Sequence, residues 1–193
     1  MTTSNYIYET LFQKGEGSDI TVTALGQTWN LHIIYLKQSE YFNTYFGGRW
    51  ETPDAKSVHL EIPDDRIDSM ALNTAFGSLY CDEINIAPDR AVNVRAAIFT
   101  SSIYILNIKV LAAASLLQHR GLIQHCSEVM ISYLNSSTVT SYYTAAITYG
   151  LPELEKGCVQ WLEHNLMIET VSGFIQPKKY TIDYYQSFRH RIF

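Results

Sequence analysis

Residues 18–46 read SDITVTALGQTWNLHIIYLKQSEYFNTYF, and the reading of this stretch decides the fold. Ile20-Thr21-Val22-Thr23-Ala24-Leu25 alternates apolar and hydroxyl side chains, Gly26-Gln27 supplies a turn, and Thr28-Trp29-Asn30-Leu31-His32-Ile33 alternates again. Strand side chains point alternately to opposite faces, so two alternating runs joined at a glycine predict a β-hairpin. The period then changes. Short helical patterns occupy Ile34 to Gln38 and Ser39 to Phe46, the second opening on Ser39 as N-cap and closing at Gly47-Gly48.

Outward from this stretch, Tyr8, Leu11 and Phe12 predict a short helix over Tyr6 to Phe12, stopped by Gly15 and Gly17. Ser57 to Ile62 alternates once more and ends at Pro63-Asp64-Asp65, which predicts a third strand. Asp68 is placed to cap a helix running to Tyr80, with Ile67, Met70, Ala71, Leu72, Phe76 and Leu79 as its buried face. Ile84-Asn85-Ile86 is a minimal strand before Pro88. Beyond it the pattern is helical, over Leu111 to Gln118, Leu122 to Leu134, Val139 to Tyr149 and Glu153 to Leu166. Gly121, Asn135-Ser136-Ser137-Thr138 and Gly150-Leu151-Pro152 separate these helices. Strands first and helices afterwards predict an α+β fold, a small sheet covered by helices and followed by a helical extension.

The chain has 193 residues, 47% of them hydrophobic and 17% charged, which fits one folded core with at most a small appended unit. Its net charge of −5 gives no general attraction to a phosphate backbone, so nucleic acid is not expected as the primary partner. The cations and aromatics of the tail from Pro177 to Phe193 are too few to change that expectation. Cys81, Cys126 and Cys158 have no CxxC spacing and are expected to be reduced thiols. The first residues carry neither a basic nor an apolar signal region, so a nuclear or cytoplasmic location is expected. Ala96 to Leu117 approaches the length of a membrane span, but Thr100, Ser101, Ser102, Asn107 and Lys109 interrupt it and no membrane insertion is expected.

No pattern for catalysis stands out. There is no GxSxG elbow, no GxxxxGK[ST] loop and no GxGxxG turn. His119, His125, Cys126, Cys158 and His164 are zinc-type residues at spacings that fit no usual ligand set, so neither metal nor cofactor is expected. Asp54, Glu61, Asp64, Asp65 and Asp68 are carboxylates at a strand end and a helix cap, and that placement accounts for them without acid–base chemistry. No enzymatic role is therefore expected.

Ser18-Asp19-Ile20, Trp29-Asn30-Leu31-His32 and Tyr35-Leu36-Lys37-Gln38-Ser39-Glu40-Tyr41-Phe42 with Phe46 resemble the hallmark run of a BTB/POZ domain. Tyr6-Ile7-Tyr8-Glu9-Thr10-Leu11-Phe12, Ala75-Phe76-Gly77-Ser78-Leu79-Tyr80, Leu111-Ala112-Ala113-Ala114 and Tyr142-Tyr143-Thr144-Ala145-Ala146 narrow the likeness to the germ cell-less family. The resemblance covers about Tyr6 to Met167 apart from Arg95–Val110. It implies a BTB/POZ domain, a small mixed sheet covered by helices, at 1–134, a partial BACK-like extension at 135–167 and an unmatched tail at 168–193.

The same resemblance implies a homodimer through Tyr6, Tyr8, Leu11 and Phe12, and a polar pocket of Asp19 and His32 between hairpin and helices. Simple satisfaction of a buried network is an equal reading of that pair. It further implies substrate recruitment to a cullin-3 ubiquitin ligase through Phe46, Trp50 and Glu51, in germ cell development, at the nuclear envelope or matrix or in the cytoplasm. A nuclear-envelope or transcriptional scaffold without ligase activity is the second implied role. Two departures bear on these roles. Relatives read Trp-x-Glu where this chain has Trp50-Glu51-Thr52, which weakens the cullin motif, and Arg95–Val110 has no counterpart in the family pattern. That segment is expected to form an apolar surface excursion that destabilises the helix after it.

Overall fold

The computed structural model describes residues 3–47, 56–81 and 99–171, with side chains described to residue 47, over 56–81 and over 105–165. Strands β1 (Ile20–Ala24), β2 (Gln27–Leu31) and β3 (Ser57–His59) form a sheet of order β2-β1-β3. β1 pairs antiparallel with β2 and parallel with β3, so the sheet is mixed, as expected. Alternation works as the sequence implies: Ile20, Val22, Ala24, Trp29, Leu31 and Val58 are buried on one face. The hairpin turns at Leu25 and Gly26, one position before the expected Gly26-Gln27. Both carry positive φ, +48° and +72°, which is what a two-residue turn needs to match the twist of its strands.

The helices follow in chain order. α1 (Thr3–Tyr6) continues into a π-helical stretch (Ile7–Gln13), and α2 (Ile33–Leu36) and α3 (Glu40–Gly47) follow the hairpin. Ser39 caps α3 as expected, accepting from the Phe42 N–H at 3.3 Å and donating to the Leu117 carbonyl at 2.5 Å, which ties α3 to a distant helix end. α4 (Ser69–Gly77) stops short of Tyr80. Its cap is Asp68, whose Oδ1 accepts from the Ala71 N–H at 2.8 Å. Met70, expected on the buried face, is 64% exposed. At about 100° per residue it lies opposite the arc of Ala71, Leu72, Ala75 and Phe76 that meets the core.

α5 (Phe99–Leu116) corrects the reading of the unmatched segment, for the helix expected to begin at Leu111 begins at Phe99. Val110 is wholly buried, Leu106 and Ile108 pack against the core, and Lys109 donates to Asp68 Oδ2 at 2.7 Å. Residues 106–110 are thus helical core and not a surface excursion: their apolar side chains are covered by the same body that covers Leu111. Only Ile105, at 42%, is strongly exposed among the described side chains of that segment. Asn107 is 1% exposed with both amide atoms unpartnered, a core cost of about 1–3 kcal/mol.

α6 (Arg120–Ser132), α7 (Val139–Tyr149) and α8 (Pro152–Val171) complete the bundle, α7 at its expected bounds and α8 longer than expected. Among the described residues no helix is long and apolar enough to cross a membrane. The expected strand Ile84-Asn85-Ile86 and the tail beyond residue 171 lie outside the described residues.

One polar clasp joins the sheet side to the later helices. The Arg66 guanidinium donates to both oxygens of Asp64, at 2.8 and 2.9 Å, and the Tyr149 hydroxyl donates to Asp64 Oδ2 at 2.8 Å. The guanidinium also lies 4.9 Å from the Tyr149 ring centre. The Arg66 hydrogen bond, more than any other influence, lowers the Asp64 carboxyl from 3.8 to about 2. A folded-state value below the unfolded one contributes stability that is present above pH 3.8 and is lost as pH falls toward about 2. Denaturation midpoints of Asp64→Asn should therefore lie below wild type at neutral pH and converge with it across that acid window. Parallel curves would contradict the assignment.

Candidate functional site

The N-terminal helix is held by a close approach at Gly77 on α4. A Cβ there would stand 3.0 Å from Phe12 Cε1 and 3.2 Å from Tyr8 Cε2, so a larger residue would push the two rings outward by a few tenths of an ångström. Phe12 continues inward, 5.3 Å from the Tyr8 ring and 5.2 Å from the Tyr80 ring, and is 6% exposed. The four residues expected at a dimer surface therefore divide. Phe12 belongs to the protomer's own core, Tyr8 and Leu11 are half-buried, and Tyr6 is 50% exposed.

The junction between hairpin and helices is built on His32 and Tyr80. The Tyr80 hydroxyl accepts from the His32 backbone N–H at 2.8 Å and lies 3.1 Å from His32 Nδ1. His32 Nε2 is 2.9 Å from the Glu16 carbonyl, which only accepts, so Nε2 carries the proton and Nδ1 takes the one from Tyr80. Burial pushes the Tyr80 hydroxyl well above the usual phenol range, so it remains a donor at every ordinary pH. The Tyr35 ring stacks on Tyr80 at 4.3 Å. Asp19 reaches the same junction but bonds elsewhere, accepting from the Ile33 N–H at 2.8 Å at the start of α2. Asp19 and His32 are thus neighbours in one junction and not partners in one bond. Tyr80 is the residue that sequence reasoning missed here, because its partner lies 48 positions away.

At the end of α3, Phe46 is 8% exposed and stacked 5.8 Å from Phe42, so its ring faces inward. Tyr45, edge-on to Phe46 at 5.2 Å and 45% exposed, is the aromatic that faces outward. Sequence reading passed it over, although it is the neighbour of Phe46. Trp50 and Glu51, with Thr52, lie outside the described residues.

Among the described residues no three His, Cys, Asp or Glu side chains gather as a metal site. Burial pushes the Cys126 thiol up to about 12 and the Cys158 thiol up to about 11, so neither supplies a thiolate nucleophile near neutral pH.

These elements form an α+β arrangement, a mixed three-stranded sheet with surrounding helices. The sequence profile of the BTB/POZ domain fits residues 8–134. The chain belongs to the BTB/POZ domain family. BTB domains are non-enzymatic binding modules, in keeping with the surfaces described. This BTB domain is similar to human germ cell-less protein-like 1, at 49% identity over 166 residues that make up 86% of this chain and 29% of that protein. It is similar to the Drosophila melanogaster protein germ cell-less at 38% identity, over 86% of this chain and 26% of the relative. A myxoma virus protein described as kelch repeat protein M-T9 is 28% identical over 78% of this chain and 26% of its own length. The chain spans less than a third of the length of these relatives.

The junction makes a direct demand on Tyr80. In Tyr80→Phe the ring stack is kept, while the His32 N–H and Nδ1 lose their partner inside the protein. Urea denaturation should register a loss of about 1–3 kcal/mol, the cost of unpaired buried polar groups. A change smaller than a few tenths of a kcal/mol would mean that the junction does not depend on this hydroxyl.

Proposed function

We propose that this BTB domain is a dimerising adaptor that recruits a substrate protein to a cullin-3 ubiquitin ligase, with a role in germ cell development. The likeness to germ cell-less proteins over 86% of the chain carries the reading. Two surfaces support it: the outward side of the N-terminal helix, with Tyr6, Tyr8 and Leu11, suits self-association, and the α3 end with exposed Tyr45 suits a second protein. In this reading α7 and α8 begin a BACK-like extension, and the protein works in the nucleus, at its envelope or matrix, or in the cytoplasm. The substrate would be selected by parts outside this chain.

One observation favours the second role, a nuclear-envelope or transcriptional scaffold that uses the same dimer without a ligase. Thr52 occupies the position where adaptors of this type carry glutamate, with Trp50-Glu51 before it. Trp50 keeps a large apolar anchor of the type that interface hot spots favour. Loss of one charged hydrogen bond costs about 1.5–3 kcal/mol, or roughly tenfold and more in affinity. Titration of the cullin-3 N-terminal domain against wild type, Trp50→Ala and Thr52→Glu decides between the roles. The adaptor reading expects measurable wild-type binding, loss in Trp50→Ala and a gain of about tenfold in Thr52→Glu. No binding by any of the three would leave the scaffold.

A further inference from the structure

Among the described residues no strand pairs with the outer edge of β2, and that edge lines a groove that none of these roles uses. Ala24 and Gln27 flank the two-residue hairpin turn and so form a hydrogen-bonded pair, and alternation makes Val22/Trp29 and Ile20/Leu31 hydrogen-bonded pairs as well. The intervening β1 residues spend their backbone groups on the β3 side: the Thr21 N–H donates to the Lys56 carbonyl and the Thr23 carbonyl accepts from the Leu60 N–H, both at 2.9 Å. Their opposite numbers, Thr28 and Asn30, therefore direct N–H and C=O away from β1. Among the described residues no backbone or side-chain group bonds to them. Natural proteins usually protect such an edge with a charge, a proline, a bulge or a covering segment, and Gln27–Leu31 contains no charge and no proline.

A groove of about 370 Å³ runs beside this edge, between β2, the end of the N-terminal helix and α4. Phe12 and Trp29 line its inner part, and Gln13, Lys14 and Asn73 line its rim. The Trp29 indole N–H donates to Asn73 Oδ1 at 3.1 Å, which fixes the amide and leaves its NH2 to donate to an incoming oxygen. Lys14 is the charged side chain of the lining, and among the described residues no carboxylate pairs with it. At one end Gly15, with φ +68°, lies so close to Asn30 that a Cβ would stand 2.8 Å from Asn30 Cβ and 3.2 Å from its carbonyl oxygen. The groove is closed there and open toward Thr28. The exposed part of its lining is amide and ammonium, which suits backbone and carboxylate groups and not the apolar face of a helix.

We propose that the free edge of β2 docks an extended acidic segment of a partner protein, which adds to the sheet as a fourth strand. Thr28 N–H and C=O pair with the backbone of that segment, Asn73 donates to it, and Lys14 meets an aspartate or glutamate side chain. The proposal shares with the adaptor reading the premise that the chain binds proteins, and it requires neither cullin binding nor the α3 surface.

Random octapeptides displayed on phage and panned against the whole chain test the idea, with the enriched sequences remade as labelled peptides for fluorescence anisotropy. Enrichment of acidic peptides rich in β-branched residues is expected. Lys14→Glu should weaken them about tenfold or more, the loss of one charge-assisted contact. Thr28→Pro removes an outward N–H while sparing the β1 ladder, and should weaken them similarly. N-methylation along the peptide gives the same information without altering the protein: binding should fall at alternate positions, the pattern of a strand bonded on one side. Failure to enrich acidic sequences, indifference to Lys14→Glu, or an N-methyl pattern without alternation would overturn the proposal. A change in the mass of the protein alone in Thr28→Pro would also overturn it, assigning the edge to a second copy of the chain. Cullin-3 titration of Lys14→Glu should match wild type, so failure here leaves the adaptor reading standing, and the reverse holds.

Discussion

The bond between the Tyr80 hydroxyl and the backbone of His32 is the constraint from which the rest of the molecule is organised. His32 is the point where the hairpin stops and helix begins, and a backbone N–H at such a point has no partner within either element. Tyr80 supplies one from beyond the end of α4 and at the same time fills the space between Tyr35 and Phe12 with its ring. The imidazole then passes the connection on to the Glu16 carbonyl, in the loop that leads back to the N-terminal helix. A single side chain therefore fixes the exit angle of the hairpin, the seat of Phe12 and the path of the loop carrying Gly15 and Gly17. The face of the N-terminal helix turned to solvent follows from that seat.

This constraint explains how one short helix is anchored and still leaves a face to solvent. Phe12 is taken inward by the Tyr80 stack and the opening at Gly77, so the helix is anchored before any partner arrives. Tyr6, with the outer parts of Tyr8 and Leu11, is then left on a prearranged surface, and association would not need to order it. The later helices are attached by a different device, the Asp64–Arg66–Tyr149 clasp, which reaches from the loop after β3 to the end of α7. Sheet, N-terminal helix and bundle thus form one body that, among the described residues, leaves Tyr6 of the N-terminal helix and Tyr45 of α3 exposed to solvent.

Signals written within a few residues were legible in the sequence. The alternation of β1 and β2, the caps at Ser39 and Asp68 and the Asn135–Thr138 stop before α7 all depend on neighbours, and the structure has them. The hairpin turn was displaced by one residue because sequence does not display the positive φ of Leu25. α5 was under-read because Thr100, Ser101, Ser102, Asn107 and Lys109 interrupt its first part, and a stretch without regular apolar periodicity looks the same at a surface and in a core. The contacts that set the candidate surfaces were the least legible. His32 finds Tyr80 across 48 positions and Asp64 finds Tyr149 across 85, and nothing local marks either pair. The same holds for Phe12, which is buried in the protomer beside a glycine 65 positions away on α4.

Sedimentation equilibrium of wild type, a Tyr6→Ser/Leu11→Ser double variant and Phe12→Ser tests the central claim, that the anchored N-terminal helix presents a dimer surface. The account predicts a dimer at micromolar concentration for wild type, a folded monomer for the double variant with unchanged circular dichroism, and loss of folding cooperativity for Phe12→Ser. A monomeric wild type, or a double variant that remains fully dimeric, would contradict it.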